Sequence, residues 1–261
     1  MPRFAANLSY LWAELPYLDR FDAAAEAGFE AVEILQPYDV PVPETQAALR
    51  RNGLRFVLLN APGPNYAGGA RGFAAIPGGE KRFDYDMRRA VRYAEALGAG
   101  LIHVQCGDAD GAAARDTLIA NLKRACASLP GGLTLTLEPI NTRDKPDGFL
   151  RSFDQAVEII DAVGAANLGL QFDSYHAHLI TGDALACFQA HAPLIRHIQI
   201  GDAPHRSVPG TGEIDFPGLF AAVDASGYAG WISAEYVAGD RTETTLDWRT
   251  ACLAGHERAV K

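Results

Sequence analysis

The sequence predicts a single α/β domain, a (β/α)8 TIM barrel spanning residues 1–261, and three observations carry that prediction. The chain has 261 residues, and one barrel of this kind needs about 250. Short apolar runs alternate with longer amphipathic runs along the chain, the order that βαβ units with a parallel sheet require. A phrase also recurs in which a helical pattern ends on glycine and feeds a strand: EAGFEAVEIL, LGAGLIHVQ, VGAANLGLQF and SGYAGWISAE. Shared among eight units, the chain gives about 33 residues to each, close to the length of one βαβ repeat.

The strands expected, in order, are Phe4–Leu8, Ala31–Ile34, Phe56–Asn60, Leu101–Gln105, Leu133–Leu137, Leu168–Phe172, Ile195–Ile200 and Trp231–Ser233. Each is a short apolar run bounded by turn formers. The helices between them are Leu18–Ala27, Thr45–Asn52, Phe83–Leu97, Arg115–Ser128, Phe153–Val163, Ala184–Ala190 and Phe216–Ser226, with a last one over Leu246–Arg258. Gly28, Gly53, Gly98, Gly164 and Gly227 follow helical patterns, where a left-handed residue ends a helix. No Pro/Ser-rich linker divides the chain. Two connections are long, Ala61–Gly79 after the third strand and Asn141–Arg151 after the fifth. Both would project from the C-terminal rim, where barrel active sites form. The first matches neither GxxxxGK[ST] nor GxGxxG. It is either a flexible surface loop or a lid over substrate.

Apolar residues make up 48% and charged residues 21%, an ordinary balance for a globular protein. The net charge of -9 opposes a nucleic-acid partner, which demands basic patches. A small anionic substrate stays open, because a few arginines in one cleft suffice. The four cysteines, Cys106, Cys126, Cys187 and Cys252, form no CxxC pair; they read as small buried hydrophobes in a reducing compartment. Asn7, Ser9 and Glu14 interrupt any signal-peptide core. No apolar run approaches the ~20 residues that span a bilayer. The expectation is a cytoplasmic protein without a membrane partner.

Four consecutive strands run into a side chain that can bind a metal: Glu138, Asp173, Gln199 and Glu235. They are 35, 26 and 36 residues apart, each about one βα unit, so a barrel brings all four to one rim. A carboxylate at the end of an apolar strand is costly unless paired or bound to a cation. Three gathered together would repel one another, and a bound cation removes that repulsion. Carboxylate and amide oxygens are hard donors, which favours Mg2+ or Mn2+ over Zn2+. One divalent ion is therefore expected.

The phrases RFAANLSYL, GFEAVEILQPYD, LEPINTRD, QFDSYHAHL, HIQIGDAPHRSVPGTGEID and GYAGWISAEY resemble the hydroxypyruvate isomerase family. That family sits among the xylose-isomerase-like TIM barrels, with ketose 3-epimerases as cousins. The likeness runs from Arg3 to about Tyr236. It implies an isomerase in which Glu138 and Glu235 exchange protons on either side of a metal-bound hydroxy-carbonyl acid. The substrate it implies is hydroxypyruvate, giving tartronate semialdehyde, or a 2-oxo-tetronate. A ketose 3-epimerase or inosose-type dehydratase on the same metal site is the alternative. A hydrolase like the abasic-site endonucleases would need a histidine-rich zinc set that the rim lacks. Barrels of this kind often associate, so a homo-oligomer is open.

The resemblance also implies substrate contacts. His176, three residues past Asp173, would meet a substrate oxygen, the alternative being a structural histidine. Arg206, in the loop DAPHRSVPG, would grip a carboxylate with its fork. Asp144, six residues past Glu138, would contact substrate unless it merely makes a surface turn. Glu33, Asn7, Asn60 and His103 lie on earlier strands; Glu33 needs a partner if buried, and orienting a ligand is one way to have one. His178 and His205 could be near the cleft or exposed, and Trp12 could wall the site or pack in the core. The sequence departs from the family in reading Tyr66-Ala67-Gly68-Gly69-Ala70-Arg71-Gly72 where Trp-Ala-Ala-Gly-Glu-Arg-Gly is common, and in Ser174.

Overall fold

The computed structural model describes residues 2–63 and 72–249. Its strands are β1 (Arg3–Asn7), β2 (Ala31–Glu33), β3 (Arg55–Phe56), β4 (Leu58–Asn60), β5 (Leu101–His103), β6 (Thr134–Leu137), β7 (Leu168–Asp173), β8 (Ile195–Ile200) and β9 (Trp231–Ala234). Its α-helices are α1 (Asp19–Glu26), α2 (Val42–Asn52), α3 (Glu80–Leu97), α4 (Gly111–Ser128), α5 (Phe153–Val163), α6 (Ser174–Thr181), α7 (Ala184–His191) and α8 (Phe216–Ala225). Each predicted strand is present, the third as the two short pieces β3 and β4. The helix α6 is additional: at eight residues it is too short to announce itself by periodicity. Residues 250–258 of the expected final helix lie outside the described residues, as do residues 64–71 of the long stretch after β4.

The contacts form two compact units that interleave along the chain. One comprises Met1–Glu33, Ala48–Arg55 and Phe172–Lys261, the other Ile34–Ala47 and Phe56–Gln171. In the first, β2, β1, β9 and β8 lie side by side and parallel, with Asn7 opposite Glu33, Ala6 opposite Ala234 and Gln199 opposite Ser233. In the second, β4, β5, β6 and β7 are parallel, with Asn60 opposite His103, His103 opposite Thr136 and Leu137 opposite Leu170. Parallel strands are covered on both faces and so lose the alternation of an exposed sheet. Every residue of β2, β4 and β7 is accordingly buried.

Helix ends follow the sequence signals. Ser152 caps α5 by accepting from the Gln155 amide, and Asp183 caps α7 through the Ala186 amide. Gly98 (φ 75°) and Gly164 (φ 66°) end α3 and α5 in the left-handed region that glycine enters without a Cβ penalty. Trp12 is fully buried and meets Phe29 edge to face at 6.0 Å, which makes it a core residue. Cys106, Cys126 and Cys187 are buried free thiols; Cys252 lies outside the described residues. No helix among those residues is long and apolar enough to cross a membrane.

Candidate active site

In the first unit, strand ends and one loop bring Asn7, Glu33, Asp173, His176, His197, Gln199, Arg206 and Glu235 together, all buried. Its lower tier is a closed set of amide–carboxylate bonds. Asn7 Nδ2 donates to Glu33 Oε1 at 2.8 Å and to Glu235 Oε2 at 2.7 Å. Gln199 Nε2 donates to the same two oxygens at 2.6 and 2.5 Å. Two amides thus spend both their hydrogens on one pair of carboxylates. Underneath, His197 Nε2 lies 2.6 Å from the other Glu33 oxygen, while its Nδ1 is buried without a partner among the described residues. The ring therefore carries its proton on Nε2, the nitrogen with an acceptor. Glu33, expected to need a partner if buried, accepts from Asn7, Gln199 and His197.

The upper tier centres on Arg206. Its Nη1 donates to Asp173 Oδ2 at 2.7 Å and to Glu235 Oε1 at 2.8 Å. Its Nη2 lies 2.7 Å from His176 Nε2, and the guanidinium stacks over Tyr175 at 4.5 Å and Tyr10 at 5.4 Å. Asp173 divides its contacts between two oxygens. Oδ1 accepts from the Tyr175 and His176 amides, capping α6, while Oδ2 faces Arg206. That cap sets the first turn of α6 and with it the position of His176.

Glu235 carries the clearest electrostatic signal. Burial pushes its carboxyl up, to about 8. Arg206 opposes that rise, and the charges of Asp173 and Glu33 add to it. A carboxyl so placed can hold or release a proton near neutral pH.

The donor set also fits a divalent cation. The oxygens of Asp173 and Glu235 already converge on a single positively charged nitrogen, and both are hard ligands. Gln199 could join them through Oε1, since its nitrogen is committed to Glu33 and Glu235.

The second unit places Glu138 directly after β6. There His103 Nε2 approaches Glu138 Oε2 at 3.7 Å, and His103 Nδ1 lies 3.2 Å from Asn60 Oδ1. A pocket beside them is walled by Cys106, Gly107, Lys145, Gly148 and Phe149, among others. Asp144 is exposed in a turn with Asn141, whose Oδ1 accepts from the Asp144 amide at 2.9 Å. Its neighbour Lys145 lines the pocket instead, a residue the motifs gave no reason to select. His178 pairs with Glu213 at 3.5 Å and His205 is exposed.

Comparison with known proteins bears on this geometry. A family model described as the xylose isomerase-like TIM barrel matches residues 21–252. A 2-oxo-tetronate isomerase of Cupriavidus necator is 45% identical over 253 residues, covering 95% of this chain and 97% of that protein. A hydroxypyruvate isomerase of Escherichia coli is 40% identical over 253 residues, covering 95% and 98%. A crystal structure from Brucella melitensis, described as an AP endonuclease of family 2, matches with a TM-score of 0.93 at 38% identity, covering 96% of this chain and 99% of that one.

Proposed function

The chain belongs to the xylose isomerase-like TIM barrel family, and from that premise we propose that it isomerises a small hydroxy-keto acid, hydroxypyruvate or a 2-oxo-tetronate. It is an isomerase with the (β/α)8 fold of its family. The observation that carries the reaction is Glu235, a buried carboxyl raised to about 8 and set among polar groups that fix both of its oxygens.

In this reading, Glu138 and Glu235 are the proton-transfer pair. One takes the C–H proton from the hydroxyl-bearing carbon beside the ketone and the other returns a proton to the former ketone carbon, while the hydroxyl proton passes to the former ketone oxygen, so that ketone and alcohol exchange places. His176 and Arg206 hold substrate oxygens, and Asp144 closes the turn behind Glu138. Glu138, Asp173, Gln199 and Glu235 would hold one Mg2+ or Mn2+. That ion would polarise the carbonyl and stabilise negative charge developing on its oxygen. The chain's own amides act separately from it, since Asn7 and Gln199 keep Glu235 aimed while its proton comes and goes. The net charge of -9 supports a small-molecule substrate over the DNA that an endonuclease would require.

The test is isomerisation of hydroxypyruvate and a 2-oxo-tetronate followed by NMR in D2O, with fructose and inosose as neutral comparisons. Glu138→Gln and Glu235→Gln should each lower turnover by at least about 100-fold, the lower end of what acid–base catalysis contributes. Near-native turnover by either variant would remove the two-glutamate mechanism. Turnover of the neutral sugars alone would replace the acid substrate with a ketose.

A further inference from the structure

Lys145 sits in the turn after Glu138, and its surroundings make it more than a surface lysine. It lines the pocket that Glu138 and His103 also line. Among the described residues of that pocket it is the one with a fixed positive charge. Its side chain is only 14% exposed. Its amide donates to Asn141 O at 3.1 Å and its carbonyl accepts from the Gly148 amide at 3.3 Å, so the turn holds it at both backbone groups.

The stem is seated as well. A Cβ on Gly148 would meet Lys145 Cδ at 3.0 Å and Cγ at 3.1 Å, so the aliphatic chain lies across a glycine that leaves room for it. Gly148 is in turn tied to Asp108 by an antiparallel bridge. Asp108 Oδ1 is 3.3 Å from Lys145 Nζ, on a side chain that is 43% exposed. A pair of that kind is weakened by solvent and contributes little, so another carboxylate can take its place. Arg206 is in the opposite condition, with Nη1 bound to two buried carboxylates.

We propose that Lys145 is the specificity-determining cation, binding the carboxylate of the substrate beside Glu138 and so separating a hydroxy-keto acid from a neutral ketose. The proposal rests on the acid-substrate reading above. Asp108 holds the ammonium in place until the substrate's carboxylate replaces it.

Two substitutions test it by their opposite signs. Lys145→Met keeps a stem to cross Gly148 and removes the charge. Asp108→Asn keeps the charge and removes its competitor. Initial rates are measured with hydroxypyruvate and with a 2-oxo-tetronate. Dihydroxyacetone, which carries a hydroxymethyl group in place of the carboxylate, serves as substrate or competitive inhibitor.

Lys145→Met should raise KM for the acids about tenfold or more, as loss of a charge-assisted contact implies. It should leave kcat and the affinity for dihydroxyacetone near wild type. Asp108→Asn should lower KM for the acids. The proposal is overturned if both substitutions raise KM alike, which would make the pair a structural strut. It is equally overturned if Lys145→Met leaves acid KM unchanged, or weakens acid and neutral ligands to the same degree. A wild-type protein inactive on both acids would instead bring down the acid-substrate reading, and Lys145's role with it. Should Lys145→Met fold poorly, Lys145→Gln repeats the comparison.

Discussion

At the scale of single residues, the most constrained group is Glu235, whose two oxygens accept from Asn7, Gln199 and Arg206. Removing one donor leaves a buried acceptor short, at a cost of about 1–3 kcal/mol. Asn7→Leu strips a donor from both Glu33 and Glu235. It should lower the urea midpoint accordingly and reduce turnover. Glu235 also predicts a pH dependence. Its folded value, about 8, lies above the ordinary 4.5, so between those values the folded protein keeps a proton that the unfolded chain has released. Stability then falls as pH rises through that window. In chelator, wild type should lose melting temperature from about pH 5 to pH 8 relative to Glu235→Gln. Excess Mn2+ should flatten the difference, because a cation favours the carboxylate.

At the scale of elements, the loop after β8 shows how a flexible-looking sequence is made rigid. The buried Asp202 carboxylate accepts from the backbone amides of Ala203, Gly210, Gly212 and Ile214, at 2.9, 2.8, 2.8 and 3.0 Å. Asp202 and Ser207 also exchange backbone hydrogen bonds at 2.8 and 3.0 Å. Arg206, between them, adopts φ 52°, and its carbonyl accepts from Val237. A non-glycine residue in the left-handed region is held there by its surroundings. Asp202→Asn turns an acceptor into a donor facing amide donors. Its loss in kcat/KM should approach that of Arg206→Ala, and the double variant should lose little more, since both act through one guanidinium. Gly212→Ala should be more severe for stability, because its Cβ would fall 2.0 Å from Ala203 O and 2.7 Å from Asp202 Oδ1. Urea unfolding of both variants checks the order.

At the scale of the whole molecule, folding must accommodate the buried carboxyl groups of Glu33, Asp173 and Glu235. One guanidinium and a set of amides do so in part. A divalent ion bound only by the folded state should add about 2.7 kcal/mol at a hundredfold excess over its Kd. Addition of Mn2+ or Mg2+ should therefore raise the melting temperature, and exhaustive chelation should abolish turnover. Unchanged melting and full activity in chelator would mean that the carboxylates work as bare acids and bases. The buried thiols should be inert throughout. Cys106, pushed up to about 12 by burial, should resist alkylation at pH 8 until the protein unfolds.

Strand positions and strand-end acids are legible in the sequence because both are local. An apolar run of four to six residues declares a buried parallel strand, and a Glu or Asp at its end stands out against it. Glu138, Asp173 and Glu235 are found that way, with Gln199 picked out by its matching place on the intervening strand and Glu33 as an acid within an apolar run. The bonds that give them chemistry are not local. Asn7 reaches Glu235 across 228 residues of chain and Gln199 reaches Glu33 across 166, and no spacing rule encodes such a meeting. The turn after β6 makes the same point at short range. Asp144 faces solvent while its neighbour Lys145 lies across Gly148 and lines the pocket, and only the folded turn decides which side chain does which. Pattern and residue type thus determined the fold class and the candidate donors. Tertiary structure decided which oxygen faces which nitrogen, because hydrogen bonding and charge act over a few ångströms that only folding brings into range.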